Sequence, residues 1–286
     1  MLGRATGPEP FTFAVALTPR ANAGDWALIE ALLGLTLASV RAQTDPRFRV
    51  LIAGHDRPRL PADPRLEFLE VDWPVEPPGP YNDDSGRKKH WLADETLQRG
   101  GGLFMVLDAD DWVDTRLVGA ARALASDRIG GLVTAGLVVD FRSLRAAPLP
   151  HPEVSELEFH RFCGSSGVAR LRPDAADLLR QNPFEVLRSH HRWIEAAAEH
   201  GAELAQLPVS GAYVVNTSEN HSEVHGPYAG WRQGFTARVN RAGRPLDGAA
   251  LARFGLDHPM VWAARERALG GRPRPERAGA VPLPGA

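Results

Sequence analysis

Residues 103–112 read LFMVLDADDW. Five apolar residues run without interruption into Asp108, Asp110 and Asp111. The run is the length of a strand, and it is apolar at every position instead of at alternate ones. That pattern belongs to a parallel strand covered by helices on both faces. Gly100, Gly101 and Gly102 precede the run instead of following it. They read as a helix stop and turn, not as a dinucleotide-binding fingerprint.

The flanking sequence has the rhythm of an α/β chain. FTFAVAL (11–17) alternates bulky and small apolar residues and reads as a buried strand. Asp25 is a helix N-cap candidate, followed by WALIEALLGLTLASVRAQ. FRVLIAG (48–54) and RLEFLEV (65–71) are further strands, RKKHWLADETLQRG (87–100) is a helix, and TRLVGAARALAS (115–126) is the next one. Strands alternating with helices predict a mostly parallel central sheet flanked by helices.

After residue 128 the rhythm weakens into a smaller mixed region. GGLVTAGLVVDF (130–141) reads as one strand of the hairpin type, and GAYVVN (211–216) as another. PDAADLLRQ and HRWIEAAAEHG read as short helices. From about Glu219 the chain reads as irregular, with one amphipathic helix near 247–268. The expected organisation is a flexible terminus over 1–10, one domain over 11–268 and a disordered tail over 269–286.

Composition narrows the function classes. The chain has 286 residues, 43% hydrophobic and 24% charged, with a formal net charge of -2. No basic face for nucleic acid is evident, and no run reaches the about 18 apolar residues of a membrane span. The single cysteine, Cys163, and the lack of a signal-peptide core fit a cytoplasmic protein. Arginine is abundant and lysine nearly absent.

In open parallel sheets, ligands bind at the carboxyl ends of the strands. Asp108, Asp110 and Asp111 stand there. Three carboxylates within four residues raise one another's pKa unless a cation or hydrogen-bond donors neutralise them. A hard divalent cation, Mn2+ or Mg2+, suits oxygen ligands of this kind. Asp111 or Asp114 can instead cap the next helix. A calcium loop on Asp108, Asp110 and Asp114 fails at its sixth position, Val113, and at its twelfth, Gly119.

LFMVLDADDWVD resembles the strand and DXD motif of family 2 nucleotide-sugar glycosyltransferases of the GT-A fold. FAVALTPRAN is similar to that family's first strand and loop. LTLASVRAQTDPRFRVLIAGHDRP is similar to its first helix, its S-x-x-x-Q-T segment and its second strand. RKKHWLADETLQRGGGLFMVLDADDW is similar to the helix and strand before the metal motif. The resemblance covers residues 11–125 and continues more loosely to about 226. It implies a Rossmann-like GT-A domain with a nucleotide-binding half (11–128) and an acceptor half (129–268). The implied activity is transfer of a hexose or deoxyhexose from a nucleoside-diphosphate sugar donor to a glycan or glycoconjugate acceptor, more in the inverting than the retaining manner.

The resemblance also distributes roles. Asp110 is the implied metal ligand, Asp108 the partner of ribose or metal-bound water, and Asp111 a neighbouring helper. Thr18, Pro19 and Arg20 line the nucleotide pocket. Asp56 ends the second strand, where the family has two acids; His55 occupies the first of those places. Lys88 and Lys89 are candidates for the diphosphate, although a solvated helix face is the commoner place for lysine. Asp83 and Asp84 lie near the same rim. His221 in ENHS (219–222) is the candidate C-terminal metal ligand, with His225 as the alternative. The family's catalytic base sits in a Glu-Asp pair. Here Ser189 and His190 stand in that place, followed by His191, so His190 and His191 are the candidate bases, with Glu185 as another. Cys163 reads as a buried apolar residue.

Two rivals follow from the same residues. A sugar-phosphate nucleotidyltransferase also uses an α/β sheet and Mg2+, but it expects a glycine-rich loop after strand one, and LTPRANAGD has one glycine. A degenerate GT-A domain with a binding role is the non-enzyme rival, motivated by the missing acid pair.

Overall fold

The computed structural model describes residues 9–270. Strands β1 (Phe11–Ala16), β2 (Arg49–Gly54), β3 (Leu66–Glu70) and β4 (Gly102–Leu107) lie parallel, with β4 and β2 on either side of β1 and β3 at the edge. Helices α1 (Trp26–Arg41), α2 (Asp83–Gln98) and α3 (Leu117–Arg122) intervene. The alternation of bulky and small residues in β1 now has a cause. Phe11, Phe13 and Val15 pack into the core on one face of the sheet, with Ile29, Leu33 and Leu37 of α1. Ala14 faces the opposite core, where Leu92 and Ala93 of α2 sit close.

Beyond β4 the chain departs from simple alternation. Strand β5 (Trp112–Val113) leaves the first sheet, and β6 (Gly130–Leu132) returns to it. Strands β7 (Ala135–Asp140) and β8 (Arg145–Leu149) form an antiparallel pair in a second sheet. Strand β9 (Gly167–Leu171) runs antiparallel between β4 and β6. Strands β10 (Ala205–Gln206), β11 (Ser210–Val215) and β12 (Arg244–Pro245) complete the two sheets. The first sheet has seven strands in the order β10-β6-β9-β4-β1-β2-β3, and the second has five in the order β12-β8-β7-β11-β5. The expected α/β class with a mostly parallel sheet and a smaller mixed region is thus present.

Several boundaries differ from the sequence reading. GGLVTAGLVVDF is two strands in two sheets: the chain crosses at Val133 and Thr134, where Val133 N–H donates to Ser166 O and Thr134 O accepts from Phe159. Helix α2 begins at Asp83, four residues early, after Asn82 in the left-handed region (φ 55). The stretch expected to be irregular after Glu219 contains a 14-residue helix, Ala229–Ala242. The helix expected over 247–268 is two, Gly248–Arg253 and His258–Gly270, parted at Gly255 with φ +65. Residues 9 and 10 are held: Arg170 pairs with Glu9 at 2.9 Å, and Leu103 N–H donates to Pro10 O. Residues 1–8 and 271–286 lie outside the described residues, and no described helix is long and apolar enough to cross a membrane.

Candidate active site at the carboxyl end of β4

The loop after β4 is held by α1 and the residues just past its end. Thr36 and Ser39 stand three apart on one face of α1, and Gln43 follows two residues beyond the helix. All three are buried. Thr36 Oγ1 donates to Ala109 O at 2.9 Å, and Val113 N–H donates to Ser39 Oγ at 3.2 Å. Gln43 Nε2 donates to Asp114 O at 2.7 Å, while its Oε1 accepts from Val118 N–H at 2.9 Å. The S-x-x-x-Q-T segment therefore acts at a distance: it fixes the backbone that carries the acids. Asp114 is fully buried and accepts from Arg116 and from the Ser210 N–H.

The three acids have separate fates. Asp108 receives Lys89 Nζ at 2.8 Å. Burial pushes its carboxyl up, but the Lys89 ammonium more than offsets this and holds it below the usual range. Its side chain keeps 37% of its area open to the cavity, so solvent tempers both effects. Asp110 also borders the cavity. Burial, then the carboxylates of Asp111 and Asp108, push it well above the ordinary aspartate value.

Asp111 does not reach the cavity. It is 1% exposed, with Val214 N–H donating to one carboxylate oxygen at 3.0 Å and Ser165 Oγ donating to the other at 2.7 Å. Cys163 Sγ, equally buried, lies 3.3 Å from that second oxygen. Ser165 Oγ also accepts the Asp108 N–H, so Asp111 ties β11 and the 163–165 turn to the base of the acid loop. Burial and Asp108 raise Asp111 to about 7 against these donors. The expected helper of the nucleotide is a positioning residue beneath the site.

The lysines also divide. Lys89 borders the cavity, whereas Lys88 is fully buried and serves neither the diphosphate nor a solvated helix face. Its Nζ donates to Leu17 O at 2.8 Å and pairs with Asp84, one turn earlier on α2. It clamps α2 onto the end of β1. Asp83 and Asp84 stand in the first turn of α2 instead of in a loop, where the helix dipole favours acids. Asp84→Ala leaves a buried ammonium without its paired carboxylate and is expected to destabilise the fold by about 3 kcal/mol in chemical denaturation. A loss under about 1 kcal/mol, the range of an exposed pair, overturns this role.

Asp108, Asp110 and Lys89 face a cavity of about 960 Å³. Thr18 and Pro19 line it, but Arg20 and Asp56 do not: the Arg20 N–H donates to Asp56 Oδ2 at 2.8 Å, so the two brace the β1 loop against the end of β2. His55 is turned to Trp73 O at 3.0 Å. The rings of His190 and His191 are tilted at 42° with centroids 4.0 Å apart, yet only His190 borders the cavity. Its Nε2 is buried and has no hydrogen-bond partner among the described residues. Burial, then His191, lower its pKa to about 3, so the ring is neutral at physiological pH. His191 is turned outward, its Nδ1 hydrogen-bonded to Arg161 O. Glu185 pairs with His90 at 2.6 Å and does not border the cavity.

The segment 218–228 forms the opposite wall. Glu219 accepts from Gly24 N–H at 3.0 Å and Asp25 N–H at 2.8 Å, which fastens this segment to the β1–α1 loop. His221 and His225 both border the cavity, and His221 Nε2 is buried without a partner among the described residues. Burial and His225 lower the His221 pKa. Arg232 is a cavity cation that sequence reading missed; its guanidinium donates to Tyr213 Oη at 3.1 Å. One arginine among so many carries no sequence signal. Lysine does: Lys88 and Lys89 are the only two lysines among 33 basic residues.

Among the described residues, no three histidine, cysteine, aspartate or glutamate side chains converge as a complete metal cluster. Asp110 still fits a hard divalent cation, because its carboxylate stands among acids with no counter-charge and Lys89 is engaged by Asp108. His221 borders the same cavity, and its Nε2 is buried without a partner among the described residues.

No protein-family model and no curated protein matches the chain. Among solved structures, 4-diphosphocytidyl-2C-methyl-D-erythritol synthase is 14% identical with a TM-score of 0.34, over 71% of this chain and 89% of that one. TarS of S. aureus is 13% identical with a TM-score of 0.37, over 80% of this chain and 43% of that one. Likeness this slight assigns no activity.

Proposed function

We propose that the chain is a metal-dependent glycosyltransferase that moves a sugar from a nucleoside-diphosphate donor to a hydroxyl acceptor with inversion. One observation carries the reading: Asp110, with no ion-pair partner among the described side chains, and Asp108, paired with Lys89, share a single 960 Å³ cavity with a neutral His190. A cavity of this volume suits a nucleotide-sized ligand.

In this reading Thr18 and Pro19 bound the nucleotide, and Asp108 holds ribose or metal-bound water. Asp110, with His221, would hold Mn2+ or Mg2+, which supplies Lewis-acid neutralisation of the leaving diphosphate. Lys89 and Arg232 add the protein's own positive charge to that diphosphate. His190 takes the proton of the acceptor hydroxyl. The acceptor oxygen bonds to the anomeric carbon as the bond from that carbon to the phosphate oxygen breaks. The diphosphate leaves with the electron pair.

The nucleotidyltransferase rival needs free N–H donors in the β1–α1 loop. Here Arg20 donates to Asp56, and Gly24 and Asp25 donate to Glu219. The test is a thermal-shift screen with UDP-, dTDP- and other nucleotide-sugars, with and without Mn2+. At least one is expected to raise Tm only when the metal is present. Stabilisation by a nucleoside triphosphate with a sugar phosphate, and release of pyrophosphate, would instead favour the rival.

A further inference from the structure

His190 sits on a single 3-10 turn, His190–Arg192, with no side-chain cap at its start. Arg188, just ahead of it, holds the left-handed region at φ 54. A non-glycine residue keeps such a conformation only where its surroundings impose it. One tie follows the turn: Trp193 Nε1 donates back to Arg188 O at 3.1 Å, and its ring packs on Gly167 of β9. The other tie comes from Arg161. One guanidinium nitrogen donates to His191 O, and another donates to Glu195 Oε1 at 2.6 Å. The Arg161 carbonyl oxygen is in turn hydrogen-bonded to His191 Nδ1. Side chain and backbone of Arg161 therefore both grip the residue next to His190.

Arg161 stands on a fixed base. It ends the short turn Phe159–Arg161, whose first residue is locked into the second sheet. Gly136 of β7 and Gly211 of β11 are direct partners in the parallel register, and the Phe159 ring fills the space that a side chain on either would need. A Cβ on Gly211 would come within 2.5 Å of that ring. Phe159 N–H also donates to Thr134 O at 3.0 Å. Further along the same segment, Ser165 accepts the Asp108 N–H at 2.8 Å and donates to Asp111 at 2.7 Å. Gly164 lies between the two sides: a Cβ there would be 3.3 Å from Asp108 Oδ2 and 3.8 Å from His190 Nδ1. The segment 159–165 thus has its anchor at Phe159, its grip on the histidine turn at Arg161 and its hold on the acid loop at Ser165. An ion pair with Glu195 would need only a charge, but the added contact with His191 O needs the arginine fork, which lysine lacks.

We infer that Arg161 is a positioning residue: it fixes the His190-bearing turn to the segment that also holds Asp108 and Asp111, and so sets where His190 stands relative to the acids. Its effect on turnover rests on the glycosyltransferase reading, whereas the placement of the ring does not. Arg161 acts through the backbone of residue 191, a contact that survives loss of the His191 ring.

The test is imidazole NMR of the full chain as wild type, Arg161→Ala and Arg161→Lys, with thermal shifts in UDP and Mn2+ run in parallel. His190→Gln and His191→Gln spectra assign the two signals. In Arg161→Ala the His190 signal is expected to move while those of His221 and His225 stay, and the UDP and Mn2+ shift should match wild type. Arg161→Lys keeps a charge for Glu195 but loses the fork, so its His190 signal should move as well. Guanidinium ion added to Arg161→Ala should return the signal part of the way. With the nucleotide-sugar selected by thermal shift, kcat of Arg161→Ala should fall about 10²-fold and the donor KM should stay within about twofold. The positioning role is overturned if the His190 signal is unmoved in Arg161→Ala, if all histidine signals move together, or if Arg161→Lys matches wild type. A displaced His190 signal in a protein whose wild type shows no metal-dependent nucleotide shift would leave that role standing and sink the transferase reading.

Discussion

His190→Ala should lower turnover of a donor–acceptor pair by about 10²–10⁴-fold while leaving the donor KM within about twofold. The ring is the neutral acceptor group of the cavity, with a buried and unpartnered Nε2. His191→Ala should cost less than about tenfold, because that ring hydrogen-bonds to Arg161 O and touches its neighbour only in a tilted contact. Added imidazole should restore part of the activity of His190→Ala and none to an Asp110 variant. The pH dependence supplies a second readout. The His190 pKa falls from 6.5 to about 3 on folding, chiefly through burial. Below pH 6.5 the unfolded chain takes up a proton that the folded ring refuses. His190 therefore supports the fold fully above 6.5, and that support is lost as pH falls from 6.5 toward 3. His190→Gln should flatten this part of the stability profile relative to wild type. Full activity in His190→Ala, without imidazole, would place the base elsewhere.

Asp110→Asn should lower turnover by about 10³-fold and abolish the metal-dependent shift with nucleotide, yet it should raise the Tm of the metal-free protein. The two effects have one cause. Burial, Asp111 and Asp108 disfavour the Asp110 carboxylate, and the amide removes that repulsion. Asp108→Asn should have the opposite sign on stability, because Lys89 then loses its 2.8 Å partner. A site built to hold a cation is strained without it, and stability gained by removing charge is then matched by lost function. If Asp110→Asn keeps the metal-dependent shift, the ligand assignment is wrong. If it lowers the metal-free Tm, the carboxylate has a stabilising partner that this account lacks.

Much of the β1–β4 half was legible because its signals are local. An apolar run fully buried on both faces, a cap at Asp25 that accepts from Ala27 and Leu28, and acids at a strand end are all read within a few residues. The S-x-x-x-Q-T segment was legible as a pattern. Its purpose was not, because Ser39 and Gln43 act on Val113, Asp114 and Val118, about 75 residues away. The lysine pair was singled out, but adjacent helical residues point about 100° apart, so one entered the cavity and the other the core. Arg232 was missed, since arginine is not informative alone in a chain rich in it.

By itself the sequence determined the α/β class and the place of the acids at the end of β4. These follow from side-chain period, turn chemistry and residue identity. Only the tertiary structure decided which acids and which of the two histidines border the cavity. Each of those depends on burial and on partners that arrive from distant strands, and those partners, not the residue types, set whether a carboxylate or an imidazole is free to act.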